Sequence, residues 1–164
     1  MQKWKRLLLS GLVATVGAAP ALGQREIGIS VGRWRLNVEE SKFEPAPLFK
    51  GEDRLYEDWG GGLIHARFEG IDAQGKPTYR EYVARLDGKD YPWVRRGAKT
   101  AWTIALKPID ARTFAYTAKE DGRVVQTGTH TVSTDGAVMT VTYKFEAPNA
   151  QGQLLSGTLV FERQ

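Results

Sequence analysis

The sequence predicts an all-β fold, an antiparallel up-and-down β-barrel of about eight to ten strands. Three observations carry that prediction. Apolar and polar residues alternate in short segments, as in Ile64, Ala66 and Phe68 against His65, Arg67 and Glu69, and no window keeps the helical period of about 3.6 residues. Threonine, valine and aromatic residues crowd these segments, as suits half-buried strands. Turn signals separate them at short intervals: Gly60-Gly61-Gly62, Asp72 to Lys76, Asp87-Gly88, Asp121-Gly122 and Asp135-Gly136. A one-sided apolar sheet of this size must pack on a second sheet or close on itself. Hairpins alone suffice for up-and-down closure, whereas a Greek-key sandwich needs long crossings.

The N-terminus reads as a targeting segment. Met1 to Arg6 is basic through Lys3, Lys5 and Arg6, Leu7 to Ala19 is apolar and small, and Ala21-Leu22-Gly23 offers small residues before a cut at Gln24. This is the pattern of a secretory signal peptide. The apolar run is shorter than the roughly 20 residues of a spanning helix and is broken by Pro20. The expected organisation is a signal peptide over 1–23 and one barrel domain over 24–164, periplasmic or secreted. Of the formal net charge of +4, Lys3, Lys5 and Arg6 supply three, so the barrel domain holds only +1. So small a charge argues against nucleic acid or anionic lipid as partner. The chain has no cysteine, which excludes disulfides, thiolate metal sites and thiol catalysis.

Within the domain, Gln24 to Ser30 reads as a lead-in or stub strand and Gly32-Arg33-Trp34-Arg35-Leu36-Asn37 as the first strand. Val38 to Phe49 carries Pro45 and Pro47, which exclude a helix and predict an extended crossing loop. Arg54 to Trp59 is the next strand, and the alternating segments follow to the last one, Leu154 to Arg163. Arg95 to Lys99 reads as a basic, solvated hairpin tip beside Trp93.

Turn length fixes which residues face inward. A three-residue turn at Ala73-Gln74-Gly75 sets Phe68 opposite Arg80, Ala66 opposite Tyr82 and Ile64 opposite Ala84, and leaves His65 outside. A two-residue turn at Asp87-Gly88 sets Tyr82 opposite Trp93 and Ala84 opposite Tyr91. The segment Val124 to Val132 has two solutions. A three-residue turn at Glu120-Asp121-Gly122 with a two-residue turn at Asp135-Gly136 turns Val124, Gln126, Gly128, His130 and Val132 inward; exchanging the lengths turns Val125, Thr127, Thr129 and Thr131 inward instead. The first is preferred because Val132 then meets Met139. Both keep Phe114, Tyr116, Val141 and Tyr143 inside.

Gly32-x-Trp34 on a first strand, an extended crossing, a meander of hairpins and an arginine closing the last strand resemble lipocalin-like (calycin-type) barrels. Trp34-Arg35-Leu36-Asn37, Ser41-Lys42-Phe43 and Asp87-Gly88-Lys89-Asp90-Tyr91-Pro92 are also similar to a group of small secreted bacterial proteins. The resemblance spans nearly all of the barrel domain. It implies that Trp34 plugs one end of the barrel under Arg163, with Gly32, Trp34 and Arg163 as structural residues.

The residues expected to contact a ligand are Phe68, Tyr82, Tyr91, Trp93, Trp102, Tyr116, His130 and Tyr143, within an aromatic lining that also holds Phe114, Phe145 and Phe161. Such walls suit a small hydrophobic or aromatic ligand, oriented by tyrosine hydroxyls, His130 or Gln126. That gives the first functional reading, a secreted or periplasmic binding protein. The second is a barrel filled by its own side chains, acting on an envelope protein or as an inhibitor through the Pro45-Ala46-Pro47 loop and the Arg95-Arg96 tip. A third makes the inward His130 a haem ligand or part of a barrel enzyme. No catalytic residues, metal or cofactor are expected. There is no Gly-x-Ser-x-Gly elbow, the two histidines lack metal-ligand spacing, and the aspartates sit in turns that explain them. Membrane insertion is not expected, since the polar faces carry Arg67, Glu69, Lys107, Lys119, Lys144 and Glu146. A monomer is the expected state.

Overall fold

The computed structural model describes residues 28–164, which form ten antiparallel strands closed into one barrel. The signal peptide expected over 1–23 lies outside the described residues. In chain order the strands are β1 (Gly32–Glu44), β2 (Phe49–Gly60), β3 (Leu63–Asp72), β4 (Pro77–Arg85), β5 (Asp90–Arg95), β6 (Trp102–Pro108), β7 (Thr113–Glu120), β8 (Arg123–Val132), β9 (Val138–Phe145) and β10 (Ser156–Arg163). Each pairs with its neighbours in sequence, and β1 closes the ring between β2 and β10. The up-and-down barrel predicted from the turn signals is the fold observed. Closure gives every described strand a partner on both sides, over part or all of its length.

The inner face follows the predicted register over most of the ring. Phe68 pairs with Arg80, Ala66 with Tyr82, Ile64 with Ala84, Tyr82 with Trp93 and Val132 with Met139. On β8 the outcome was right in part, and for another reason. Asp121 and Gly122 both take positive φ, 47° and 77°, the pattern of a two-residue primed hairpin turn. Glu120 therefore faces Arg123, and Val124 points outward, 43% exposed. The register then shifts by one residue, so that Ala118 faces Gln126. This bulge restores the phase, and Gln126, His130 and Val132 face inward.

Two further expectations are corrected. The first strand does not end at Asn37. It bulges between Asn37 and Lys42 and pairs with β10 again as far as Glu44. Side chains bridge the gap: Ser41 Oγ donates to the Asn37 carbonyl (2.6 Å) and accepts from the Val160 amide (3.0 Å). The crossing loop shrinks to Pro45–Leu48. The lead-in, as far as it is described, is not a strand. Gly28–Ser30 form a helical turn, because its carbonyls serve the barrel floor.

That floor closes on Trp34 and Arg163. Trp34 is wholly buried, and its indole Nε1 donates to the Ser30 carbonyl at 2.8 Å. The Arg163 guanidinium lies 4.1 Å from the indole centroid. Its Nε donates to the Gly136 carbonyl (2.6 Å), Nη1 to Val31 (2.6 Å) and Nη2 to Ile29 (2.8 Å). One side chain thus ties the lead-in, the β8–β9 turn and the plug together. Gly32 makes this possible. Its φ of +131° is left-handed, and a Cβ there would stand 2.7 Å from Arg163 Nη1.

Candidate functional site

Above the floor the barrel encloses a cavity of about 300 Å³ that reaches the end carrying Leu48, Asp72 and Phe145. The filled barrel of the second sequence reading is therefore not what this chain forms. Ten strands give a bore wider than side chains close. Of the eight expected contact residues, Phe68, Tyr82, Trp93, Tyr116, His130 and Tyr143 line the cavity. Tyr91 and Trp102 do not. Tyr91 lies near the closed end, where its hydroxyl donates to Asp87 Oδ2 (3.0 Å). Trp102 stands behind Trp93, edge to face with ring centroids 6.0 Å apart. Phe161 is buried in the core below, under the Arg54 guanidinium at 4.2 Å.

Alternation of apolar residues missed the charged members of the site. Arg54, Arg80 and Arg95 all line the cavity. Glu52 and Arg54 are two residues apart on β2, hence on one face of it, and both are buried. Glu52 accepts from Arg54 Nε at 2.7 Å and from Arg80 Nη2. One carboxylate thus serves two guanidinium groups. Arg54 is further held between the rings of Phe68 (4.6 Å) and Phe161. Burial, and behind it the charge of Arg95, presses Arg80 down to about 9, which still leaves it cationic at neutral pH.

Arg95 corrects another expectation. It is not part of a solvated tip. Its guanidinium folds inward over Trp102 (3.8 Å) and Trp93 (5.1 Å). The tip's outward cations are Arg96, 5.5 Å above the Tyr79 ring, and Lys99. Among the described residues Arg95 makes no ion pair. Glu120 lies near enough to favour its charge but takes the Thr100 hydroxyl instead.

The polar groups of the wall fall into two sets. Tyr116 donates to the Thr142 carbonyl (3.0 Å) and accepts from Gln126 Nε2 (3.1 Å). Thr78 Oγ1, Trp93 Nε1 and the Tyr143 hydroxyl, by contrast, have no hydrogen-bond partner among the described residues. All three residues line the cavity. Burial pushes the phenols of Tyr82 and Tyr116 well up, and that of Tyr143 up to about 12.

His130 sits at the bottom of the cavity. It stacks on Phe114 (4.3 Å), meets Tyr56 edge-on (5.3 Å), and turns Nε2 toward Ser30 Oγ (3.4 Å) and Nδ1 toward the Tyr56 hydroxyl (3.5 Å). Burial, and then the charge of Arg54, hold it neutral far below the ordinary imidazole range. The histidine is inward, as the haem reading requires, but neither nitrogen faces open space where iron would sit. His65 is on the outer face as expected, yet buried. Trp59 stacks on it at 4.4 Å, and its two nitrogens meet Glu57 and Glu81 at 2.7 Å each.

No protein-family model matches the chain, nor does any curated protein. Solved structures do. The chain is similar to Rv2717c from M. tuberculosis, with a TM-score of 0.58 and 12% identity over 89% of this chain and 98% of that one. It is similar to a variant of the fluorescent protein UnaG, with a TM-score of 0.55 and 13% identity over 84% of this chain and 98% of that one. A third, EF1p2_mFAP2b bound to DFHBI, gives a TM-score of 0.50 and 10% identity over 88% of this chain and 100% of that one. At these identities the likeness establishes the fold, a closed barrel of this size and topology.

Proposed function

We propose that this chain is a lipocalin-like binding protein, exported to the periplasm or beyond, that holds one small ligand with an apolar or aromatic body and does no chemistry on it. The observation that carries the reading is the aromatic-walled cavity of about 300 Å³ over a sealed floor. That volume is at the small end of ligand pockets, roughly 300–1,000 Å³. Two neighbours by fold support it. One is a designated fluorescent protein, and another was solved bound to DFHBI. Burial keeps the tyrosines and the histidine facing the cavity uncharged and moves their titration away from neutral pH, whereas an acid–base catalyst works best when it titrates near it. Export rests on the basic, apolar and small-residue pattern of 1–23.

The test is purification under native conditions from the producing cell, then denaturation, solvent extraction and mass spectrometry, beside a screen of small aromatic and aliphatic compounds. A stoichiometric small molecule, or a hit displaced by a bulky substitution in the wall such as Ile104→Trp, is expected. Empty extracts together with an empty screen would overturn the proposal.

A further inference from the structure

The strongest unassigned feature is a patch of donors on one wall. Thr78 and Arg80 alternate on β4, and Trp93 and Arg95 on β5, each pair two residues apart and therefore on one face. The strands pair Arg80 with Arg95 and Tyr82 with Trp93, so the four side chains are neighbours. The Trp93 ring lies within 6.0 Å of the Arg80 guanidinium carbon and 5.1 Å of that of Arg95. All four residues line the cavity.

Their chemistry is one-sided. An indole N–H and a guanidinium can only donate, and Trp93 Nε1 and Thr78 Oγ1 have no partner among the described residues. Trp93 is 5% exposed. A buried donor left unmet costs free energy and calls for an explanation. Charge points the same way. Three guanidinium groups face the cavity, and Glu52 is shared by Arg54 and Arg80. Among the described residues the carboxylate that lines the cavity is Asp72, at the rim, held by the turn amides of Gln74 (3.0 Å) and Lys76 (2.8 Å). Across the barrel the Tyr143 hydroxyl is a further unmet group.

We infer that the cavity selects ligands bearing one carboxylate-like anionic group, seated on Thr78, Arg80, Trp93 and Arg95 with the apolar body packed against the aromatic wall. This rests on the binding reading above and adds the ligand's charge. A neutral ligand leaves Arg95 without an ion-pair partner among the described residues, and a cation meets like charge. A planar carboxylate matches guanidinium forks.

Two dyes of nearly one skeleton test it: anionic 1-anilinonaphthalene-8-sulfonate and uncharged N-phenyl-1-naphthylamine, titrated by fluorescence, with decanoate and decanol as matched competitors. The wild type is expected to bind the sulfonate at least about tenfold more tightly, ~1.4 kcal/mol, and decanoate is expected to displace it where decanol does not. Arg95→Gln should abolish that preference while keeping N-phenyl-1-naphthylamine affinity. Trp93→Phe keeps the ring, removes the donor and should cut sulfonate affinity several-fold. Should Arg95→Gln fail to fold, the wild-type ratio and Trp93→Phe decide. Equal affinity for the two dyes, or a preference untouched by Arg95→Gln, overturns the inference and leaves the cavity reading standing. If neither dye nor decanoate binds, the inference falls, and the extraction and screen above decide the binding reading.

Discussion

At the floor of the barrel Arg163 covers the indole of Trp34 and gives its N–H groups to three backbone carbonyls. In the upper half Arg95 covers Trp102 and Trp93 and, among the described residues, pairs with no carboxylate. The same residue pair serves two ends. Below, the indole Nε1 is bonded to Ser30; above, that of Trp93 is not. Folding alone explains the first arrangement, because each group there lowers the free energy of closing the ring. It does not explain the second, where buried donors and charge are held ready at a cost to the empty protein. The difference separates what builds the barrel from what the barrel is for.

The largest expected effect tests the lower half. Trp34→Ala removes a wholly buried indole where strands converge, and such truncations cost roughly 3–5 kcal/mol. Trp102→Ala, at a half-buried site, should cost about 1–2 kcal/mol, less than the full burial of a large side chain contributes. Urea denaturation of both compares them. Similar midpoints would mean that the plug is not where the fold is held. Next come the arginines. Arg163→Ala loses stacking and three charge-assisted bonds, about 2–3 kcal/mol in all, and Arg163→Lys should recover little because the fork is gone. Arg95→Ala loses stacking on Trp102 and Trp93 but removes a cation without an ion-pair partner among the described residues, so it should cost less than about 1 kcal/mol. A loss at Arg95 matching that at Arg163 would erase the distinction.

The register of the lower half was legible in the Asp-Gly turns, and its Trp34 and Arg163 were pointed to by the resemblance that Gly32-x-Trp34 and the arginine closing the last strand carry. The upper half was not. The three-residue turn at Ala73-Gln74-Gly75 already pairs Phe68 with Arg80, which puts that guanidinium inside, but apolar alternation gives no weight to a charge. Glu52 and Arg54, two apart on one strand, are the signal that could have exposed the buried pair, since opposite charges on one face can neutralise each other under a sheet. Arg95 was hidden by its neighbours: Arg96 and Lys99 made the segment look like a solvated tip. The β8 bulge escaped because nothing in the residues around Val125 marks it.

A smaller effect joins the two halves through His130, which lies between them. Its folded-state affinity for a proton is lowered by burial, while in the unfolded chain it titrates near the ordinary value of about 6.5. Below that value the unfolded state binds the proton and the native state does not. Stability then falls as pH falls, by up to ~1.4 kcal/mol per pH unit. Above it the histidine contributes no pH dependence. Glu57 and Glu81, whose carboxyls are held low by His65 and by Tyr79 with His65 respectively, titrate only below the ordinary carboxylate range. Chemical denaturation of the wild type and of His130→Gln at pH 7.5 and 5.5 isolates His130 as the difference between the two, because His65 and the carboxylates are common to both. The wild type should lose about 1 kcal/mol more than His130→Gln over that interval. An unchanged slope in the variant would place the charge elsewhere.

The smallest expected effect is the most discriminating, because it compares two tyrosines on one wall. The Tyr116 hydroxyl is bonded to both Thr142 and Gln126, and the Tyr143 hydroxyl to nothing among the described residues. Tyr116→Phe removes a bond and strands the Gln126 amide and the Thr142 carbonyl, which should cost about 1–2 kcal/mol. Tyr143→Phe removes an unmet hydroxyl of the same shape and should leave stability unchanged within about 0.5 kcal/mol, or raise it slightly. Binding should reverse the order. Tyr116 is committed to the wall, so its hydroxyl has little left to offer a ligand, whereas Tyr143 is free to donate. The pair thus predicts a crossed result: the variant that is harmless to folding weakens the anionic dye, and the one that harms folding does not once its folded fraction is allowed for. If Tyr143→Phe costs as much stability as Tyr116→Phe, its hydroxyl already has a partner in the empty protein, and the contrast between a satisfied floor and an expectant upper wall does not hold at this position.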